Sequence, residues 1–217
     1  MKFLLGTMTV MAIVPLAGAC AAATPTATTV PTLTPRPTAV PTPTALALTD
    51  GALVVTQAIS GTFEMVENQI YLSSRQALPD LSLVDFSSSA HFHNPYTPTA
   101  SETWRYGTYA RFDLVKLRGH VVWYNSDGSW QHFLLMDGQA TELAKGNWTT
   151  AAMGKDESNE LRLLVLESQG QLWINGQFVT SLDLSRWVEP GNVMVAGMSS
   201  VPGTVMDFED WYVWSLD

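Results

Sequence analysis

The chain has 217 residues, 46% of them hydrophobic and only 14% charged, with 11 Lys and Arg against 20 Asp and Glu. That is too apolar and aromatic for a disordered protein and too short for more than one sizeable domain. Every acid lies from Asp50 onward, alongside 9 of the basic residues, so this part carries a net charge of −11; it repels nucleic-acid phosphates and anionic lipid heads, and a neutral or cationic ligand suits it better than an anionic one.

Met1 and Lys2 lead into the apolar run Phe3 to Leu16 and then into Ala17-Gly18-Ala19-Cys20. A positive start, a short hydrophobic segment and small residues at its end are the pattern of an export signal, here over residues 1–19. Three outcomes fit it: cleavage after Ala19, retention as a membrane anchor, or cleavage before Cys20 with lipid on its sulfur. The stretch resembles a bacterial lipoprotein lipobox, with Ala17 where Leu is usual and Leu16 one place earlier. Cys20 is the only cysteine and stands where that chemistry needs a thiol, so lipidation at Cys20 is the favoured outcome. The protein is then exported and anchored at the cell surface, touching the membrane through its N-terminal lipid alone. A lone cysteine also excludes an intramolecular disulfide, so the folded part is held by its core.

Residues 20–48 read as a linker. Between 24 and 44 there are nine Thr and six Pro in 21 positions. Proline fixes φ and lacks an N–H, so the segment favours extended polyproline II and forms no core. At ~3.1 Å per residue it spans on the order of 60 Å, a stiff spacer.

Residues 49–217 form the domain. They hold all eight tryptophans, many β-branched residues and a turn signal every ten or so positions, with no long run of helical periodicity. The spacing predicts an all-β, two-sheet antiparallel sandwich. The expected strands are, in order, 52–56, 62–67, 69–73, 81–93, 104–114, 120–125, 129–136, 141–144, 160–167, 171–174, 178–184, 193–198 and 204–216. Pro79, Pro95, Pro98, Pro190 and Pro202 fall between them, where a missing N–H does no harm. Asn175-Gly176 stands between two apolar runs and predicts a two-residue type I′ turn. Asp127-Gly128 gives a similar signal; if those two residues make the turn, Trp123 faces His132 and Asn125 faces Trp130.

The segments Trp104 to Phe112, Trp123 to Trp130, Leu161 to Val165, Leu172 to Val179 and Phe208 to Leu216 come in an order that resembles the concanavalin A-like lectin/glucanase superfamily, in its laminin-G-like and sugar-hydrolase-related forms. The resemblance covers about residues 50–217. It implies a jelly roll with one concave sheet whose face binds sugars in many members, and packing roles for Trp104, Trp130 and Trp214.

Retaining glycosidases place two carboxylates about 5 to 5.5 Å apart across the bond. Here Asp207 and Glu209 share a strand face without a third acid at the family's spacing, and no nucleophile elbow or phosphate loop occurs, so no catalytic residue is assigned. His91 and His93 share a face but lack further ligands, and no metal site is assigned; calcium stays open because the superfamily often binds it, with acidic loops at Asp127 and at residues 155–160. The remaining signal is aromatic, since flat rings stack on sugar faces. Strand alternation puts Tyr109 and Arg111 on one face, and Trp123, His132 and Trp173 from neighbouring hairpins complete the expected ligand surface. Trp148 and Trp187, in loops, are alternative contacts. The function expected is a surface-tethered, non-catalytic module that binds a glycan or another extracellular polymer; the alternatives are a diverged glycoside hydrolase using Asp207, Glu209 or Asp210 and a protein-interaction domain of a surface complex.

Overall fold

A computed structural model describes residues 52–53, 59–65, 70–73 and 81–216. The expected signal sequence, Cys20 and the expected linker lie outside these residues. The described part is thirteen antiparallel strands without an α-helix: β1 (Ala52–Leu53), β2 (Ile59–Glu64), β3 (Ile70–Ser73), β4 (Phe86–His93), β5 (Trp104–Asp113), β6 (Arg118–Asn125), β7 (Ser129–Met136), β8 (Gln139–Asn147), β9 (Ser158–Leu166), β10 (Gln169–Ile174), β11 (Gln177–Asp183), β12 (Asn192–Ser199) and β13 (Val205–Ser215). One sheet runs β1-β13-β4-β9-β10-β11 with β2 also on β13, and the other runs β3-β12-β5-β6-β7-β8. This is the expected sandwich. The strand expected from Leu81 begins at Phe86; before it, Leu83 makes only an isolated bridge to Gly191.

Alternation builds the core between the sheets. Phe86, Ala90 and Phe92 of β4, Leu161, Leu163 and Val165 of β9, and Leu172 and Ile174 of β10 face Trp104, Tyr106, Ala110, Val122, Tyr124, Val193 and Val195 of the other sheet. Phe92 stacks on Tyr106 with ring centres 4.6 Å apart, and Trp104 stacks on Tyr106 at 5.1 Å. The buried Tyr106 hydroxyl accepts from Asn159 Nδ2 at 2.8 Å, so the core aromatic that carries a polar atom also satisfies it.

Three local departures from regular pairing decide which side chains face out. In β13 the register shifts between Glu209 and Tyr212, with Asp210 at φ 51°. The extra residue lets both Phe208 and Trp211 point inward, Trp211 donating to Ser88 Oγ at 3.1 Å, and turns Tyr212 and Trp214 to the outer face. Trp104 and Trp130 are core residues as expected, whereas Trp214 is half-buried on the outside. In β5 the shift lies between Ala110 and Asp113, with Arg111 at φ 52°. In the β6–β7 hairpin, β6 ends at Asn125 and β7 begins at Ser129, so three residues turn rather than two, with Gly128 at φ 81° donating to Asn125 O. The pairs are therefore Trp123 with Gln131 and Val122 with His132, which moves His132 to the opposite face from the one expected.

Asn175-Gly176 forms the expected two-residue turn, with φ of 51° and 72° and Ile174 opposite Gln177. Asp137-Gly138 makes a second such turn, joining β7 and β8 at φ 53° and 78°.

Candidate functional site

The five expected ligand residues separate into four places. Tyr109 and Trp123 do share the outer face of the six-stranded sheet, with rings edge-to-face at 5.9 Å. They belong, however, to a second apolar cluster with Phe112, Val121, Met194 and Ala196, and each is only 3% exposed. Burial pushes the Tyr109 hydroxyl up to about 12, with Arg105 pulling the other way. Neither ring offers a free face to a ligand.

Arg111 leaves that face altogether. The bulge at its own left-handed backbone turns the side chain inward, where it is fully buried. Its Nε donates to Val84 O at 2.7 Å, and its Nη2 donates to Glu167 O at 2.5 Å and to Asp85 Oδ1 at 3.2 Å. Asp85 Oδ1 also accepts from Glu167 N at 2.7 Å. The side chain therefore ties the end of β5 to the β9–β10 turn of the other sheet. Trp187 donates its indole N–H to Arg111 O at 3.0 Å, which gives that loop tryptophan a bracing role.

His132 is buried beside His120, Nε2 to Nδ1 at 3.0 Å, and His120 Nε2 lies 3.2 Å from Trp187 O. A carbonyl only accepts, so His120 carries its proton on Nε2 and accepts at Nδ1 from His132 Nε2–H. His132 Nδ1 is left as a bare acceptor with no partner among the described residues. Burial drives both imidazoles well below their ordinary range, His120 to about 4 and His132, which also feels His120, to about 3. Both are neutral at pH 7.

Trp173 alone lies on the outer face of the seven-stranded sheet, and it has company there. Register aligns Tyr212 with Ser89, Ser89 with Arg162, Arg162 with Trp173 and Trp173 with Phe178, a single row across five strands. The adjacent row runs Trp214, Ser87, Leu164, Gln171 and Ser181. Three strand spacings of ~4.8 Å put Tyr212 and Trp173 about 14 Å apart. Tyr212 and Trp214 pair at 5.5 Å on one side, and Trp173 and Phe178 at 5.4 Å on the other. All four are half-buried, so each keeps an accessible ring surface. Between them the floor is low and polar. Ser89 Oγ donates to Glu160 Oε1 at 3.0 Å, and Arg162 Nε lies 3.4 Å from Ser87 Oγ. His91 Nδ1 and Gln171 Oε1, on the same face, are shielded and without a hydrogen-bond partner among the described residues.

Toward the far end of this face, His93 Nε2 meets Glu209 Oε1 at 3.0 Å. With Asp207, Ser60 and Thr62 they line a shallow depression. Among the described residues no three His, Cys, Asp or Glu side chains converge to hold an ion. The row of Tyr212, Arg162 and Phe178 escaped sequence reasoning because its members lie on three different strands, β13, β9 and β11; only the exposed aromatic alternation of β13 hinted at it, and the bulge hid that.

One known structure has the same architecture, and others match more loosely. A carbohydrate-binding module from Bacillus subtilis superposes with a TM-score of 0.54 at 13% identity, covering 71% of this chain and 86% of that one. Sheep galectin-11 matches with a TM-score of 0.39 at 18% identity over 66% of this chain and 98% of its own. The catalytic domain of an endo-1,3-β-glucanase from Thermotoga petrophila matches with a TM-score of 0.43 at 8% identity, over 62% of this chain and 65% of that one. At these identities the first likeness establishes the fold, a two-sheet antiparallel β-sandwich, and nothing finer. No family model matches the chain, and no curated protein does.

Proposed function

We propose that the protein is a surface-tethered binding module that holds a hydroxyl-rich polymer, a glycan, on the outer face of its seven-stranded sheet. The observation that carries this reading is the in-register row in which aromatic pairs stand on either side of Ser89 and Arg162. Rings that far apart suit stacking on successive sugars of a chain, while Glu160, Arg162 and His91 between them suit its hydroxyls. The two unpartnered polar atoms, His91 Nδ1 and Gln171 Oε1, each cost roughly 1–3 kcal/mol, and small side-chain shifts would let ligand hydroxyls satisfy them. The bacterial carbohydrate-binding module of like fold is in keeping with such a role. The export pattern, Cys20 and the Thr/Pro spacer support a lipid-anchored domain held away from the cell surface.

A glycan array probed with the full chain tests the reading. Binding to neutral polysaccharide is expected, weakened about tenfold or more by Trp173→Ala and by Tyr212→Ala. An array with no neutral ligand, or full binding by both variants, overturns it. Mass spectrometry of the mature N-terminus tests the anchor: a diacylglyceryl mass on Cys20 is expected, and cleavage elsewhere or an unmodified thiol defeats it.

A further inference from the structure

The other sheet ends in a second, chemically different site. At its edge, the strand ends of β5, β6 and β12 and the β6–β7 turn enclose a cavity of about 340 Å³, within the range of small-ligand pockets. Arg105, Asn125, Asp127, Ser129, Gln131 and Met198 are among its walls.

Arg105 is the unusual member. Its guanidinium carbon lies 4.9 Å over the ring of Trp123. Its Nε and Nη2 both point at Met198 Sδ, at 3.2 and 2.9 Å, a weak acceptor. Arg111 and Arg118 each reach a carboxylate, on Asp85 at 3.2 Å and on Asp137 at 2.7 Å, but no Asp or Glu among the described residues forms an ion pair with Arg105. Burial lowers its pKa, with Tyr109 pulling the other way. Asp127, on the same cavity, is occupied locally, accepting from Ser129 N at 2.9 Å. A partly desolvated guanidinium that stacks on an indole and meets only sulfur is a donor fork waiting for an anion.

We propose that this cavity binds an acidic saccharide unit, a hexuronate or similar carboxylate-bearing sugar, with the carboxylate on Arg105 and the ring hydroxyls on the amides of Asn125 and Gln131 and on Ser129. Asn125 Nδ2 already bridges Ser129 Oγ at 3.0 Å and Gln131 Oε1 at 3.3 Å, so these three groups form one connected polar wall. The carboxylate exchanges a thioether for a charged partner, and the flexible Met198 side chain can yield the place. The net charge of −11 over residues 50–217 disfavours anions at range, but beyond about 10 Å it is screened at 0.1 M salt, and the guanidinium decides at contact. The site lies on the opposite sheet from the aromatic row and stands independently of it.

The test titrates the full chain with D-glucuronate, D-glucose and acetate while reading tryptophan fluorescence and the indole N–H resonances. Glucuronate is expected to bind about tenfold or more tighter than either glucose or acetate and to shift the Trp123 signal. Arg105→Gln should bring glucuronate down to the glucose level, and Arg105→Lys, which keeps the charge without the fork, should fall between. Gln131→Ala should weaken glucuronate and leave acetate unchanged, and it serves if the Arg105 variants melt early. Glucose within about twofold of glucuronate, or a folded Arg105→Gln that binds as before, overturns the proposal; acetate binding as tightly as glucuronate reduces the cavity to a bare anion site and overturns the saccharide assignment.

Discussion

The outer faces of the two sheets are built from the same kinds of residue and do opposite things. On the six-stranded sheet, Tyr109, Trp123, Val121 and Met194 close over one another into a second apolar cluster, with the Arg105 guanidinium over the Trp123 ring. On the seven-stranded sheet, Trp173, Phe178, Tyr212 and Trp214 stand apart, with serines between them. An aromatic on an exposed strand face is thus no sign of a binding site. What its cross-strand neighbours are decides whether it is buried among apolar side chains or left with a free ring over a low polar floor.

Removing the tryptophan of each face should separate the two most widely. Trp123→Ala is expected to cost roughly 3–5 kcal/mol, read from urea unfolding, because a buried indole leaves a cavity. A loss under about 1 kcal/mol would mean that the cluster is not packed as described. Arg111→Ala should cost a similar ~3–5 kcal/mol, since it removes the buried guanidinium that Asp85 and the carbonyls of Val84 and Glu167 share. An unchanged unfolding midpoint would show that the link between the sheets is dispensable.

Acid should act on the inner side of the six-stranded sheet. An unfolded imidazole titrates near 6.5 and folded His120 near 4, so on acidification the unfolded chain takes up the proton first. Stability is therefore full above about pH 6.5 and falls as pH drops toward 4, by roughly 3 kcal/mol from His120. The carboxylates of Asp113, Asp127, Glu142 and Asp183, held below their usual range mainly by hydrogen bonds, add their loss at lower pH. His132→Leu should flatten its share of the decline between pH 6.5 and 4.5; a wild-type curve already flat there would mean that the pair is accessible to solvent.

Smaller effects belong to the open face. Gly176→Ala meets no atom within 4 Å but must adopt φ 72°, so about 1–2 kcal/mol is expected from backbone strain alone, seen as a lower melting temperature. Trp173→Ala should change stability by less than about 1 kcal/mol while weakening glycan binding. A large stability loss there would make Trp173 a core residue like Trp123 and erase the contrast between the faces.

The amino-acid sequence by itself determined the all-β class, most strand positions and the Asn175-Gly176 turn, because alternation and turn chemistry are local. The family resemblance also placed Trp104 and Trp130 in the core. Two other assignments failed on single inserted residues. The bulge at Arg111 turned an expected surface cation into an internal tie, and the bulge at Asp210 put Trp211 inside and Trp214 outside. The hairpin at Asp127 failed by one position of register, which replaced His132 with Gln131 beside Trp123. A strand's side chains alternate with period two, so one extra residue reverses everything beyond it. Whether a residue is added depends on backbone fit with strands far away in sequence, as at β5, where Gly191 comes so close to Arg111 that a Cβ there would lie 2.3 Å from its carbonyl carbon. Only the tertiary structure could therefore bring Tyr212, Ser89, Arg162 and Trp173 into one row, or leave Arg105 facing sulfur in a cavity.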